Sequence, residues 1–220
     1  MTLHPKGCVI GICGSIGSGK DTAAEYLVKY YQFKRLSIAS VLKDACAAIF
    51  GWERSMLEGK TAEDREKREN IDSWWADRLG MENFSPRYAL QYIGTNLFRE
   101  ALHKNIWVFA LEKTIEKHVN VVISDVRFPN EIEMIKRLGG HIWTVHRGQQ
   151  PDWYRPIRDI LSNSTSEEQA RNDIHSIYPD IHESEWAWIA TKFDYTFSND
   201  KNISDLYQSV QRGYSNINGD

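Results

Sequence analysis

Gly14-Ser15-Ile16-Gly17-Ser18-Gly19-Lys20 has the spacing Gly-x-x-x-x-Gly-Lys. Glycines let a backbone turn successive N–H groups inward, and such a run of amides suits phosphate oxygens. Lys20 would set a positive charge on the outer phosphates and keep its hold as charge develops during transfer. Asp21 and Thr22 follow, so the hydroxyl that commonly ligates Mg²⁺ after the lysine is replaced by a carboxylate. Asp21 either holds the ion, directly or through water, or simply complements the positive end of a helix. Thr22 is a candidate for the α-phosphate. The expected ligands are ATP and Mg²⁺.

A second carboxylate, Asp125, ends the apolar run Asn120-Val121-Val122-Ile123-Ser124. An acidic residue there can orient Mg²⁺ and its waters. Arg127, two residues on, carries a planar fork suited to phosphate. Transfer between two polyanions needs several cations. Arg87, Arg99, Arg147, Arg155 and Arg158 form a candidate set, with Gln91 on the same helix as Arg99. Of Trp74, Trp75 and Trp107, one at most is expected to stack on a base, and Trp74 is the candidate. His182-Glu183-Ser184-Glu185 looks like helix-start acids after a histidine, with no further histidine at ligand spacing.

These residues need a frame that brings them together. Strands are expected at 9–13, 33–38, 120–124, 141–146 and 193–197. Ala24, Leu27, Val28 and Tyr31 recur at helical spacing after the glycine loop. Further helices are expected after Ser40, a candidate N-cap, and at 87–101, 105–118, 130–138 and from Ile203 to Val210. Alternating strands and helices predict an α/β fold: a mainly parallel five-stranded sheet covered by helices. Ligands bind beyond the carboxyl ends of such strands. The charge-dense stretch 52–87 with Trp74-Trp75 reads as helical structure inserted between core units. Residues 147–182 are polar, with Pro151, Pro156, Pro179 and the run Ser162-Asn163-Ser164-Thr165-Ser166, and read as an irregular loop or lid. The expected organisation is one domain over 1–220, with a helical insertion at about 45–105 and a lid at about 147–182.

With 41% hydrophobic and 26% charged residues the chain can bury a core. Its net charge of −3 gives no reason to expect nucleic acid or an acidic membrane as partner. Three cysteines, Cys8, Cys13 and Cys46, have neither disulfide-framework nor zinc spacing and suit a reducing cytosol. The short apolar run at the N-terminus opens into the glycine loop and is not read as a signal peptide, and no stretch approaches a membrane span.

An ordered set of segments narrows the reading. The chain resembles the deoxynucleoside monophosphate kinases of bacteriophages at 17–22 (GSGKDT), 85–95 (SPRYALQYIGT) with Arg99 and Trp107, and 124–131 (SDVRFPNE). The likeness continues at 139–147 (GGHIWTVHR), 182–185 (HESE) and 198–200 (SND). It implies a P-loop kinase fold with ATP on the glycine loop and the acceptor in the helical insertion. The implied reaction moves the γ-phosphoryl of ATP to a deoxynucleoside monophosphate. Lys20, Asp125 and Arg127 would be catalytic, and Asp21 and Asp125 would hold Mg²⁺. Arg87, Gln91, Arg99, Trp74 and Arg147 would serve the substrate. The expected partners are small nucleotides in the cytoplasm, the host's if the chain is viral, and a homodimer is left open. The competing readings are a dephospho-coenzyme A kinase-like enzyme and an ATP-binding regulatory or assembly protein.

Overall fold

The computed structural model describes residues 7–115 and 120–218. Five parallel strands form one sheet: β1 (Val9–Cys13), β2 (Lys34–Leu36), β3 (Val121–Ile123), β4 (His141–His146) and β5 (Tyr195–Ser198). Their spatial order is β2-β3-β1-β4-β5. Every residue of β1 is buried, as a central strand covered on both faces requires. The two neighbours of β1 come from later in the chain, which puts the switch in strand order at the carboxyl end of β1, where ligands bind in such sheets.

Helices α1 (Lys20–Tyr31) and α11 (Ile203–Asn218) cover one face. Ile10, Ile12, Leu27, Trp143, Phe197, Leu206 and Val210 pack there as one buried cluster. On the other face lies α8 (Pro129–Arg137), with Ile132, Met134 and Ile135 buried. A Cβ on Gly11 would meet Ile135 Cδ1 at 2.6 Å, so helix and central strand pack closely and a larger residue there would require Ile135 to shift.

Ser37–Thr114 is a second compact unit, separate from the sheet unit of 1–36 and 115–220. It holds α2 (Ser40–Phe50), α3 (Arg54–Glu58), α4 (Ala62–Glu69), α5 (Ser73–Leu79), α6 (Pro86–Tyr92), a π-helical segment (Ile93–Glu100) and most of α7 (Ile106–Ile115). Thr61, Asp72 and Ser85 cap α4, α5 and α6 by accepting backbone N–H bonds. Its core gathers Cys46, Met56, Leu57, Ala76, Phe84, Ala89 and Ile93. Trp107 is buried and donates to the Gly94 carbonyl (2.9 Å) inside the π segment.

Two expectations need correction. Ser40 does not cap α2: it is the first helical residue, after a turn closed by its N–H on the Ser37 carbonyl (3.0 Å), and Ala39 stands at the cap. Residues 147–182 are not irregular. They hold α9 (Tyr154–Asn163) and α10 (Glu167–Ile177). Tyr154 and Ile157, then Ala170 and Ile174, are the buried residues of these helices. Pro156 falls in the first turn of α9, where its missing N–H costs nothing. The serine-rich run is the joint, and Ser166 caps α10 by accepting from the Gln169 N–H (3.1 Å). The last part of the helix expected over 105–118 lies outside the described residues. No described helix is long and apolar enough to cross a membrane.

Candidate active site

The glycine loop leaves β1 and ends as α1 begins. Gly14, Gly17 and Gly19 have φ of 147°, 77° and 107°, a region that side chains other than glycine rarely adopt. Gly14 and Gly19 also lack room. A Cβ on Gly14 would lie 2.5 Å from the Val145 carbonyl oxygen, and one on Gly19 would lie 2.4 Å from Asn199 Nδ2. At Gly17 nothing lies within 4 Å, and Ile16 beside it is 78% exposed, so the tip of the loop faces open space. Lys20 is buried to 9% exposure and folds back: Nζ donates to the carbonyls of Gly14 and Ser15, both at 2.7 Å. Burial, and after it the charge of Arg127, lower the pKa of Lys20, while Asp21 and Glu185 oppose that shift. Lys20, Asp21, Arg127 and Glu185 thus share one electrostatic neighbourhood. A concave glycine loop with an ammonium held against it fits a nucleotide's phosphates.

Asp21 is tied into the sheet. Its Oδ1 accepts from the Ser124 hydroxyl (3.0 Å) and from the Arg35 guanidinium. Arg35 Nε also donates to Ser124 Oγ (3.1 Å). The first turn of α1 is therefore joined to β2 and to the end of β3, next to Asp125. Asp125 is half-buried. A carboxylate in the first turn of α1, hydrogen-bonded to Ser124, and another just beyond β3 are of the hard oxygen-donor type that Mg²⁺ takes. Among the described residues no three His, Cys, Asp or Glu side chains gather into a metal-binding group, so Mg²⁺ here would draw on few protein ligands, with water and phosphate oxygens completing its shell.

Arg127 is held at both ends. Its N–H and that of Phe128 donate to Glu131 Oε2 (2.8 and 3.0 Å). Glu131, only 2% exposed, caps the start of α8. The guanidinium meets Glu185 Oε1 at 2.7 Å and Ser184 Oγ at 3.3 Å. Glu185 lies in a single 3₁₀ turn, Glu183–Glu185, capped by His182.

Asn199, Asp200 and Arg35 had no assigned role in the sequence reading. Asn199 follows β5, and its Nδ2 donates to the Ser18 carbonyl (2.9 Å), bracing the glycine loop from the side. Asp200 accepts from the Gly148 N–H and from Ser198, so the ends of β4 and β5 are clasped where the 147–182 segment departs. The Ser198 hydrogen bond, then that of Gly148, hold the Asp200 carboxyl below the usual range. The polar run Ser-Asn-Asp was the available signal, but its partners lie far off in sequence. Asn199→Ala is expected to lower ATP affinity about 5- to 30-fold, the equivalent of losing one good hydrogen bond. Calorimetric titration checks this; unchanged affinity would show that the loop stands without Asn199.

The remaining candidates fall on both units. Arg147 is exposed just beyond β4, and Arg155 and Arg158 are exposed on α9. In the helical unit, Arg87 and Gln91 lie exposed four residues apart on α6, and Arg87 stands 3.6 Å from Glu69. Arg99 is half-buried in the π segment. Trp74 is 52% exposed with Arg78 stacked on its face at 3.8 Å, whereas Trp75 donates to the Phe50 carbonyl and Trp107 is core.

A parallel sheet whose central strand runs into a phosphate-binding loop, with a lysine laid against that loop, defines the P-loop class of phosphotransferases. No family model matches the chain. It is 37% identical over 152 residues to a protein of Acanthamoeba polyphaga mimivirus named "Putative deoxynucleotide monophosphate kinase", covering 63% of this chain and 74% of that one. It is 27% identical over 180 residues to the deoxynucleoside-5'-monophosphate kinase of Escherichia phage T5, covering 58% and 71%. Among solved structures, a shikimate kinase from Aquifex aeolicus superposes with a TM-score of 0.44 at 13% identity, over 96% of this chain and 98% of that one. The chain belongs to the deoxynucleoside monophosphate kinase family and is an enzyme of that kind.

Proposed function

We propose that this chain transfers the γ-phosphoryl group of ATP to a deoxynucleoside monophosphate, giving ADP and a deoxynucleoside diphosphate. The observation that supports this reading is the glycine loop with the buried Lys20 ammonium laid on the carbonyls of Gly14 and Ser15, and with Arg127 close enough to lower the pKa of Lys20. The loop amides and Thr22 hold the donor phosphates. Lys20, drawn off the Gly14 and Ser15 carbonyls, follows the β- and γ-phosphates. Asp21 and Asp125 hold Mg²⁺, which neutralises phosphate charge when bound. Arg127 pairs with the phosphoryl group in flight. An acceptor phosphate oxygen forms the new bond to Pγ, and the bond to the bridging oxygen breaks with its electron pair leaving on ADP. The acceptor is already largely a dianion at neutral pH, given a second pKa of about 6, so no general base is needed. Positioning and charge neutralisation do the work.

The unit Ser37–Thr114 supplies the acceptor's contacts in this reading: Arg87 and Arg99 for its phosphate, Gln91 and Trp74 for its base. Arg147 and the helices of the 147–182 segment act as a lid that keeps water from the γ-phosphate. The reaction takes place in the cytoplasm, the host's for a viral chain. A steady-state panel of deoxy- and ribonucleoside monophosphates with ATP and Mg²⁺, and dephospho-coenzyme A alongside, tests the assignment. Turnover of at least one deoxynucleotide is expected. Turnover of none overturns the reading, and turnover of dephospho-coenzyme A alone would place the chain with that other class of kinase.

A further inference from the structure

The turn His182-Glu183-Ser184-Glu185 is built with more care than a connection needs. His182 Nδ1 accepts the Ser184 N–H (3.2 Å) and lies 2.9 Å from the Ser184 hydroxyl. Glu183 pairs with Arg171 of α10 at 2.9 Å. Trp186 and Trp188, 2% and 1% exposed, anchor the chain just after it. Three acceptors of this turn converge on one nitrogen of Arg127. Nη1 meets Glu185 Oε1 (2.7 Å), Ser184 Oγ (3.3 Å) and the Ser184 carbonyl (3.5 Å). Nε and Nη2 make no hydrogen bond or ion pair among the described residues. The backbone at Arg127 is fixed separately, by Glu131. One edge of the guanidinium is therefore clamped while the other stays open to a ligand.

We propose that Glu185 is a positioning residue: it grips Arg127 by Nη1 so that the Nε–Nη2 edge faces the phosphoryl group in transit at the glycine loop. This rests on the role given to Arg127 above. The pair is about a third exposed on each side, 32% and 27%, and ion pairs so placed add little to stability. A bidentate edge, in contrast, recognises phosphate only at one orientation. The carboxylate also offsets part of the mutual repulsion of Lys20 and Arg127, which lets two cations sit at one site.

The test is a double-mutant cycle of Glu185→Gln and Arg127→Ala. It is run on phosphoryl transfer to an accepted deoxynucleotide and, in parallel, on ATP hydrolysis without acceptor. Glu185→Gln is expected to lower kcat about 10- to 100-fold, the usual cost of a displaced reacting group, and to change KM for ATP less than about threefold. Its Tm should stay within about 3 °C of the parent. In the Arg127→Ala background the same change should cost no more than about twofold, because the carboxylate acts only through the guanidinium. Additive losses in both reactions, or an unchanged kcat, overturn the proposal. A parent protein that transfers to no deoxynucleotide overturns the substrate reading instead, and the hydrolysis cycle then still decides the role of Glu185.

Discussion

Lys20→Ala is expected to leave a folded protein that no longer transfers phosphate at a useful rate, with kcat down about 10²- to 10³-fold or more. The ammonium is the one charge held inside the loop itself, by the carbonyls of Gly14 and Ser15. It can therefore move from two neutral acceptors to the phosphates without crossing open solvent. Stability should change by only about 1 kcal/mol, because two opposed effects are removed together. One is the pair of hydrogen bonds. The other is the cost of burying a charge, which shows as a lowered pKa. The folded pKa lies below that of the unfolded chain, so the unfolded chain binds more protons between the two values and stability rises with pH there. The burial cost is present wherever the folded lysine is charged, and alanine relieves it. Steady-state kinetics and urea unfolding measure the two quantities. More than a few per cent of parental kcat in the variant would contradict the phosphate-clamp role.

The second large effect is expected at Gly14. In Gly14→Ala the new Cβ would lie 2.5 Å from the Val145 carbonyl oxygen and 2.7 Å from Ser18 Oγ. Val145 is wholly buried in β4 and its backbone is held by strand pairing, so the loop must give way. The backbone strain alone is worth about 1–3 kcal/mol, and the displaced amides should lose most of their ATP affinity. Gly17→Ala is the control. Its φ of 77° is also unfavourable to alanine, but nothing lies within 4 Å of the new atom. It should cost only the conformational penalty, about 1–2 kcal/mol. Denaturant unfolding with ATP titration of both variants checks the contrast. Equal losses at the two positions would show that the close approach to Val145 does not matter.

What could be read along the chain was whatever announces itself locally. The glycine loop, the apolar runs of β1 and β3, Ser85-Pro86 at the start of α6 and Asp125 at the end of β3 each carry their signal within a few residues. The helices of 147–182 did not. Their apolar stripes are narrow, two buried residues each, and the serine run that marks a joint and a cap looks like plain loop. The partners that shape the site were hidden for another reason. Arg35 meets Asp21 and Ser124, Glu185 meets Arg127, and Asn199 meets Ser18 only once the strands are ordered. No spacing rule links residues that depend on a five-strand order for their contact. Likewise, Trp107 as a core residue could not be told from Trp107 as a base platform until its buried indole was seen on the Gly94 carbonyl.

The strand order also sets a timetable. On the ribosome β1 and the glycine loop emerge before the other four strands, yet β1 has no neighbour in the sheet until β3 and β4 arrive, and the Cys8 N–H waits 112 residues for Asn120. The brace on Ser18 comes later still, 181 residues on, with Asn199. Pairings this distant fold slowly, since the entropy of closing so long a loop precedes any reward. The helical unit between β2 and β3 can form its own core in the meantime, because that core is built from its own residues. A nascent chain thus carries its most recognisable motif through the synthesis of all the later strands before that motif can grip a nucleotide, and ATP can reward only the finished sheet.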